Sequence, residues 1–246
     1  MPRFFVGTDQ ISDKNIVITG TDVNHIRNVL RMAPGEEVTV SDGQGMDYFC
    51  KIAELTKEEV RLDIIDSWHS FVELPAKIYL FQGLPKADKM ELIIQKAVEL
   101  GVYEIVPVAT KRAVVKLDAK KEEKKRLRWQ SIAESAAKQA GRALIPQVAP
   151  CMNFDKALRM CNGLDAALIP YEKAEGMQHA RDQVRALHGK HSIGIFIGPE
   201  GGFEESEIEA ARGAGAVPIT LGHRILRTET AGLTMLSILM FELEED

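Results

Sequence analysis

The chain reads as an α/β protein in two parts: a small β-barrel with one helix over residues 1–72, and a parallel-sheet domain over residues 73–246. Three observations predict this. Short alternating or β-branched runs, separated by turn residues, fill the first 72 positions. Strand-like and helix-like runs then alternate, which is the rhythm of parallel strands joined by crossover helices. Finally, the apolar run 192–197 stops at Gly198, Pro199, Gly201 and Gly202. A Gly-rich turn after a buried parallel strand is where open α/β sheets bind ligands, because a missing Cβ lets a ligand reach the backbone. Taken alone, that turn is as well explained by an ordinary strand-to-helix connection. The second turn, Leu221-Gly222, opens onto a dense polar cluster and favours a binding site.

In the first part, strands are expected at 16–18, 37–40, 48–52 and 60–65. Pro34-Gly35 and the Asp42-Gly43-Gln44-Gly45 run mark turns, the second placed as in a hairpin. Between the first two expected strands, residues 21–31 suit a helix capped by Thr21 or Asp22, with Val23, Ile26, Val29 and Leu30 on one face. Leu74-Pro75 closes this part. Beyond it, strands are expected at 77–81, 105–108, 166–169, 193–197 and 217–221. Met90, Ile93, Ile94, Ala97 and Val98 define a helix from about 87 to 100, with Gly101 suited to end it. Residues 120–140, rich in Glu, Lys, Arg and Ala, form a second helix, and residues 230–242 a last one; a charged helix-like segment follows Phe203.

Composition excludes several classes. No apolar run approaches the ~18 residues of a membrane span, and no basic-then-apolar leader opens the chain. Cys50, Cys151 and Cys161 form no CxxC pair, so reduced thiols in a cytoplasmic protein are expected. The histidines lack ligand spacing, so no metal is expected. Net charge is −5, but its distribution is uneven: residues 1–72 hold 7 Lys/Arg against 12 Asp/Glu, whereas 111–142 hold 11 against 4. A concentrated basic stretch of that kind attracts polyanions; a solvated helix face is the competing reading of any one lysine.

Two blocks, Gly198-Pro-Glu-Gly-Gly-Phe203 and Leu221-Gly-His-Arg-Ile-Leu-Arg-Thr-Glu-Thr-Ala231, resemble the signature of the 16S ribosomal RNA uridine N3-methyltransferase family, members of the SPOUT superfamily. Further blocks resemble it in the same order: Met1–Phe5, His25–Arg31, Lys86–Gly101 and Gln139–Arg142. One departure is Lys138, where the family pattern leads one to expect a glutamate. The resemblance implies an N-terminal PUA-like barrel and a C-terminal methyltransferase domain tied in a trefoil knot. It also implies S-adenosylmethionine as methyl donor, ribosomal RNA of the small subunit as substrate, and a homodimer.

On that resemblance, three turns converge on the donor. They comprise Leu168, Ile169 and Pro170; Ile197, Gly198, Pro199, Glu200, Gly201 and Gly202; and Leu221, Gly222, Ile225, Leu226, Arg227, Thr228, Thr230 and Ala231. The aliphatic members offer an adenine slot, and the glycines allow the backbone to close in. Uracil N3 is protonated at neutral pH, so transfer needs a base or a group that stabilises the anion. Arg227 suits the second role; Glu200 and Glu229 suit a base or the orientation of Arg227, although Glu229 also sits where a helix N-terminus favours a carboxylate. Expected RNA contacts are Arg3, His25, Arg27, Arg31, Lys86, Lys89, Lys111, Arg112, Lys116, Gln139 and Arg142. Two other readings stay open: a non-catalytic RNA-binding or assembly protein, and a different enzyme holding a nucleotide phosphate. The second is weakened because no GxGxxG or GxxxxGK[ST] pattern is present.

Overall fold

The computed structural model describes residues 1–115 and 118–244. It divides into two compact units, Met1–Glu73 with Ala137–Ile145, and Leu74–Ala136 with Pro146–Asp246.

The first unit contains β1 (Arg3–Phe5), β2 (Asn15–Thr19), β3 (Glu37–Ser41), β4 (Met46–Leu55) and β5 (Glu59–His69). They form one sheet in the order β1-β3-β4-β5-β2, parallel between β1 and β3 and antiparallel elsewhere. Register shifts at Phe49/Cys50 and Ile52/Glu54 bend the long β4–β5 ribbon, as bulges do. The sheet curls but stays open, with β1 and β2 as its edges. The expected barrel is therefore a half-barrel, and Val23 and Ile26 of the helical segment complete its core beside Ile16, Val38, Val60 and Leu62.

The helical segment corrects another expectation. Helix α1 (Thr21–Asn24) widens into a π-type turn over His25–Val29, where the Leu30 N–H donates to the His25 carbonyl at 2.9 Å. The extra residue per turn rotates the sequence off the core face, leaving Val29 65% and Leu30 40% exposed. Residues 137–145, expected in the larger domain, are part of this unit. Their anchor is the Glu73 carboxylate, which accepts from Arg142 Nε at 2.9 Å and from the N–H groups of Ala143 and Leu144 at 2.9 and 3.1 Å.

The second unit is a seven-stranded parallel sheet. Its strands are β6 (Lys77–Gly83), β7 (Glu104–Ala109), β8 (Gln147–Val148), β9 (Met152–Asn153), β10 (Ala166–Pro170), β11 (Ser192–Ile197) and β12 (Ala216–Ile219). The order is β12-β10-β11-β6-β7-β8, with β9 also on β7. Pro107 explains why two short strands share that edge: β8 pairs at Glu104 and Ile105, β9 at Val108 and Ala109, and the proline between them has no N–H to offer. The helices are α2 (Lys89–Glu99), α3 (Ala119–Ala140), α4 (Phe154–Cys161), α5 (Met177–Arg185), α6 (Glu205–Gly213) and α7 (Thr228–Leu243). In α2 the five expected apolar residues are buried, and Gly101 follows at φ +87. A stacked Phe81–Phe196 pair, 4.4 Å between ring centroids, joins the two central strands. No helix among the described residues is long and apolar enough to cross a membrane. The cysteines are free, and burial pushes the Cys50 thiol up to about 12.

Candidate active site

The carboxyl ends of β10, β11 and β12 and the loops that follow enclose a cavity of about 800 Å³. Sequential strands switch direction across the sheet here, and the loops diverge to leave a crevice. Pro170, Ile197, Gly198–Gly202, Leu221, Gly222, Ile225, Leu226, Arg227, Thr228 and Ala231 all line it. Three donor contacts expected there, and the candidate base Glu229, do not. Leu168 and Ile169 are sheet core, 2% and 0% exposed, because only the last residue of β10 reaches the crevice. Thr230 faces the other side of α7, with Leu233, Ile238 and Phe241. The Glu229 carboxylate turns to Lys89. Ile225 lines the outer rim and is 89% exposed. Tyr171, Glu172, Met177, His223 and Arg224 also line the walls; no sequence motif marks the first three, and the last two stand inside the second block as residues given no role there.

The Gly-rich turn is held by close packing and by hydrogen bonds. A Cβ on Gly83, the last residue of β6, would lie 2.7 Å from Pro199 Cδ, so only glycine lets this strand end abut the turn. Buried Gln82 donates to Thr228 Oγ1 at 2.9 Å, and the Thr228 hydroxyl donates to the Gly198 carbonyl at 2.6 Å. Arg112 Nη1 donates to the Gly201 carbonyl at 3.0 Å. Glu207, 3% exposed, accepts the N–H of Lys111 at 2.9 Å and that of Glu204 at the start of α6. On the far wall, Gly222 at φ +111 donates its N–H to Thr220 Oγ1.

Charge in the cavity is unevenly matched. Arg227 is the exposed residue before the first turn of α7, and among the described residues no carboxylate pairs with it. Glu200 and Glu229, expected as candidate bases, share one cation: Lys89 Nζ is 3.1 Å from Glu200 Oε1 and 3.2 Å from Glu229 Oε2. Burial raises the Glu200 carboxyl, but its own backbone N–H, the Lys89 ammonium and the Lys86 N–H outweigh that and hold it below the usual carboxylate value. A carboxylate so stabilised is a poor proton acceptor.

The expected RNA contacts separate into two groups. His25, Arg27, Arg31, Lys86 and Gln139 are exposed. His25 also meets Phe4 edge-on, and Lys86 donates its backbone N–H to Glu200. Others are engaged by the protein. Arg142 is 5% exposed and locked to Glu73; Arg3 grips Asp47 with two bonds of 3.0 Å. Lys89 and Arg112 brace the cavity, and Lys111 Nζ bonds Ser206 at 2.8 Å. Lys116 lies outside the described residues. Lys138, the departure from the family pattern, pairs with Asp22 at 2.9 Å.

Comparison with known proteins fits this arrangement. The RNA methyltransferase domain family matches residues 72–240, and the RNA methyltransferase PUA domain matches residues 18–65. The chain belongs to the RNA methyltransferase family. Similarity to members of the RNA methyltransferase family runs the full length. Ribosomal RNA small subunit methyltransferase E of Bacillus subtilis is 38% identical over 250 residues, which cover 99% of this chain and 98% of that one. The crystal structure of ribosomal RNA small subunit methyltransferase E from Neisseria gonorrhoeae, bound to S-adenosyl methionine, is 32% identical with a TM-score of 0.83, covering 98% and 97%. A Legionella pneumophila protein solved with the bound cofactor SAM is 33% identical with a TM-score of 0.82, covering 97% and 96%. The chain is thus an RNA-methylating enzyme.

Proposed function

We propose that this enzyme transfers the methyl group of S-adenosylmethionine to N3 of a uridine in small-subunit (16S) ribosomal RNA. The observation that carries the reading is the convergence of Ile197–Gly202 and Leu221–Arg227 on one cavity, with Arg227, paired to no carboxylate among the described residues, at its edge.

The residues present fit the donor. Ile197, Leu221 and Leu226 give apolar walls for a purine, and Gly198, Gly201 and Gly222 leave backbone groups open to its edge. Bound there, the donor supplies an electrophilic methyl group on a sulfonium. The chain's own part is to position the acceptor and to stabilise charge. When uracil N3 loses its proton, negative charge spreads over O2 and O4, and the Arg227 guanidinium opposes it without itself taking part in proton transfer. Glu200 and Glu229, neutralised in part by Lys89, serve structure instead of proton abstraction.

The first unit, residues 1–73 with 137–145, acts in this proposal as a PUA-like RNA-binding domain, and the second unit as a SPOUT methyltransferase domain with a trefoil knot. Exposed His25, Arg27 and Arg31, with Lys86 and Gln139, supply RNA contacts. The enzyme works in the cytoplasm as a homodimer, for which the exposed apolar face of α7 around Ile238 and Phe241 provides surface. The test is methyl transfer to small-subunit RNA followed by mass spectrometry of the nucleosides. N3-methyluridine is the expected product, and Arg227→Ala should bind donor normally while losing ~10²-fold or more in turnover. A different methylated nucleoside would overturn the assignment of the acceptor atom.

A further inference from the structure

Two residues at the start of α2 run against local chemistry. Lys89 occupies the helix's first position, where unpaired N–H groups carry partial positive charge and a cation is disfavoured. Ala87, two residues earlier and outside the helix, sits at φ +54, a left-handed conformation that is strained for any residue with a Cβ. One carboxylate accounts for both. Glu200 Oε1 accepts the Lys86 N–H at 3.1 Å on one side of Ala87 and lies 3.1 Å from Lys89 Nζ on the other. The same ammonium lies 3.2 Å from Glu229 Oε2, a buried oxygen aligned for an ion pair though not for a hydrogen bond. Glu200 belongs to the turn after β11, and Glu229 to the first turn of α7, two residues after Arg227.

We propose that Lys89 is a positioning residue of the methyl-transfer site: its ammonium, held between Glu200 and Glu229, fastens the donor-side turn to the start of α7 and so fixes that wall relative to Arg227. The proposal rests on reading the cavity as the donor site. Lys89 itself lines that cavity. It replaces the RNA contact that the sequence suggests for this lysine. An ammonium between two carboxylates belongs to a group of net charge −1, which repels a phosphate instead of drawing it in. The exposed Lys86 forms no ion pair among the described residues and keeps its charge for RNA.

The experiment compares wild type, Lys89→Met, Lys89→Arg and Glu200→Gln. Donor affinity is measured by calorimetry with S-adenosylhomocysteine, RNA affinity by filter binding across a salt series, and folding by thermal melting. Loss of a charged anchor raises the dissociation constant for the donor analogue about tenfold in Lys89→Met and Glu200→Gln. Lys89→Arg, whose guanidinium also reaches two carboxylates, recovers most of it. RNA affinity and its salt slope stay at wild-type values, and melting falls only modestly, because the two carboxylates lose a shared counter-ion at a partly exposed site while the helix N-terminus loses an unfavourable cation. The proposal is overturned if Lys89→Met binds donor normally and lowers the salt slope for RNA by about 0.7–0.9, the signature of one lost phosphate contact. It is equally overturned if the donor effect appears only together with a collapse in melting temperature in both Lys89 variants. Wild-type protein that binds no donor analogue would instead refute the reading of the cavity itself.

Discussion

Gly83→Ala tests whether the donor turn depends on steric contact with β6. The added Cβ would stand 2.7 Å from Pro199 Cδ and 2.8 Å from Pro199 N, where ordinary contact begins at 3.4 Å. Something must therefore yield by about 0.7 Å, and β6 is poorly placed to do so, being paired on both sides with β11 and β7. The turn at Pro199 moves instead, taking Gly198 and Glu200 with it. Overpacking of this kind costs about 1–3 kcal/mol of stability. Its effect on the reaction is larger, because misplacement of about 1 Å in a positioned site costs on the order of 10²-fold. Calorimetry with S-adenosylhomocysteine should show at least a roughly tenfold loss of affinity. Single-turnover methyl transfer should fall with it, while the far-ultraviolet circular dichroism stays native. Donor affinity within about twofold of wild type would refute the claim that Gly83 sets the position of the turn.

Two further outcomes concern the first unit. Glu73→Ala removes the carboxylate that holds the 5%-exposed Arg142 guanidinium and two backbone N–H groups, so urea unfolding should report a loss of about 3–5 kcal/mol. A change below about 1 kcal/mol would show that water replaces the carboxylate. Arg27→Ala should reduce the salt slope of RNA binding by about 0.7–0.9 without altering donor affinity; an unchanged slope would remove Arg27 from the phosphate contacts.

Legibility in the sequence followed periodicity and length. Helix α2 could be read to its terminal glycine because five buried residues recur at helical spacing over three turns. Strand β1 has three residues and β8 two, too few for any alternation to show. Helix α5 buries only Ala180 and Val184, so it lacks an apolar stripe. At the site, residues adjacent in sequence to the glycines were legible. The partners of charges were not. Arg142, Arg3 and Lys89 each look like a solvated cation in sequence, and each is matched by a carboxylate 69, 44 or more than 100 residues away. Such pairing depends on tertiary proximity, which local pattern does not encode. The π-type turn at His25–Val29 misled for a related reason: one inserted residue changes the phase of every residue after it.

The anchoring of residues 137–145 by Glu73 has a consequence for how the protein is made. The first unit is discontinuous, so a nascent chain that has only reached position 73 lacks the guanidinium and the two N–H groups its last carboxylate will hold. At elongation rates of ~5–20 residues per second, the remaining stretch takes roughly 4–14 s to emerge. During that interval the half-barrel waits with an open flank, and the start of the parallel sheet is synthesised before its predecessor can close. The two units are therefore completed in overlapping order, and a fragment cut after Glu73 would be an unfinished module, short of its own final segment.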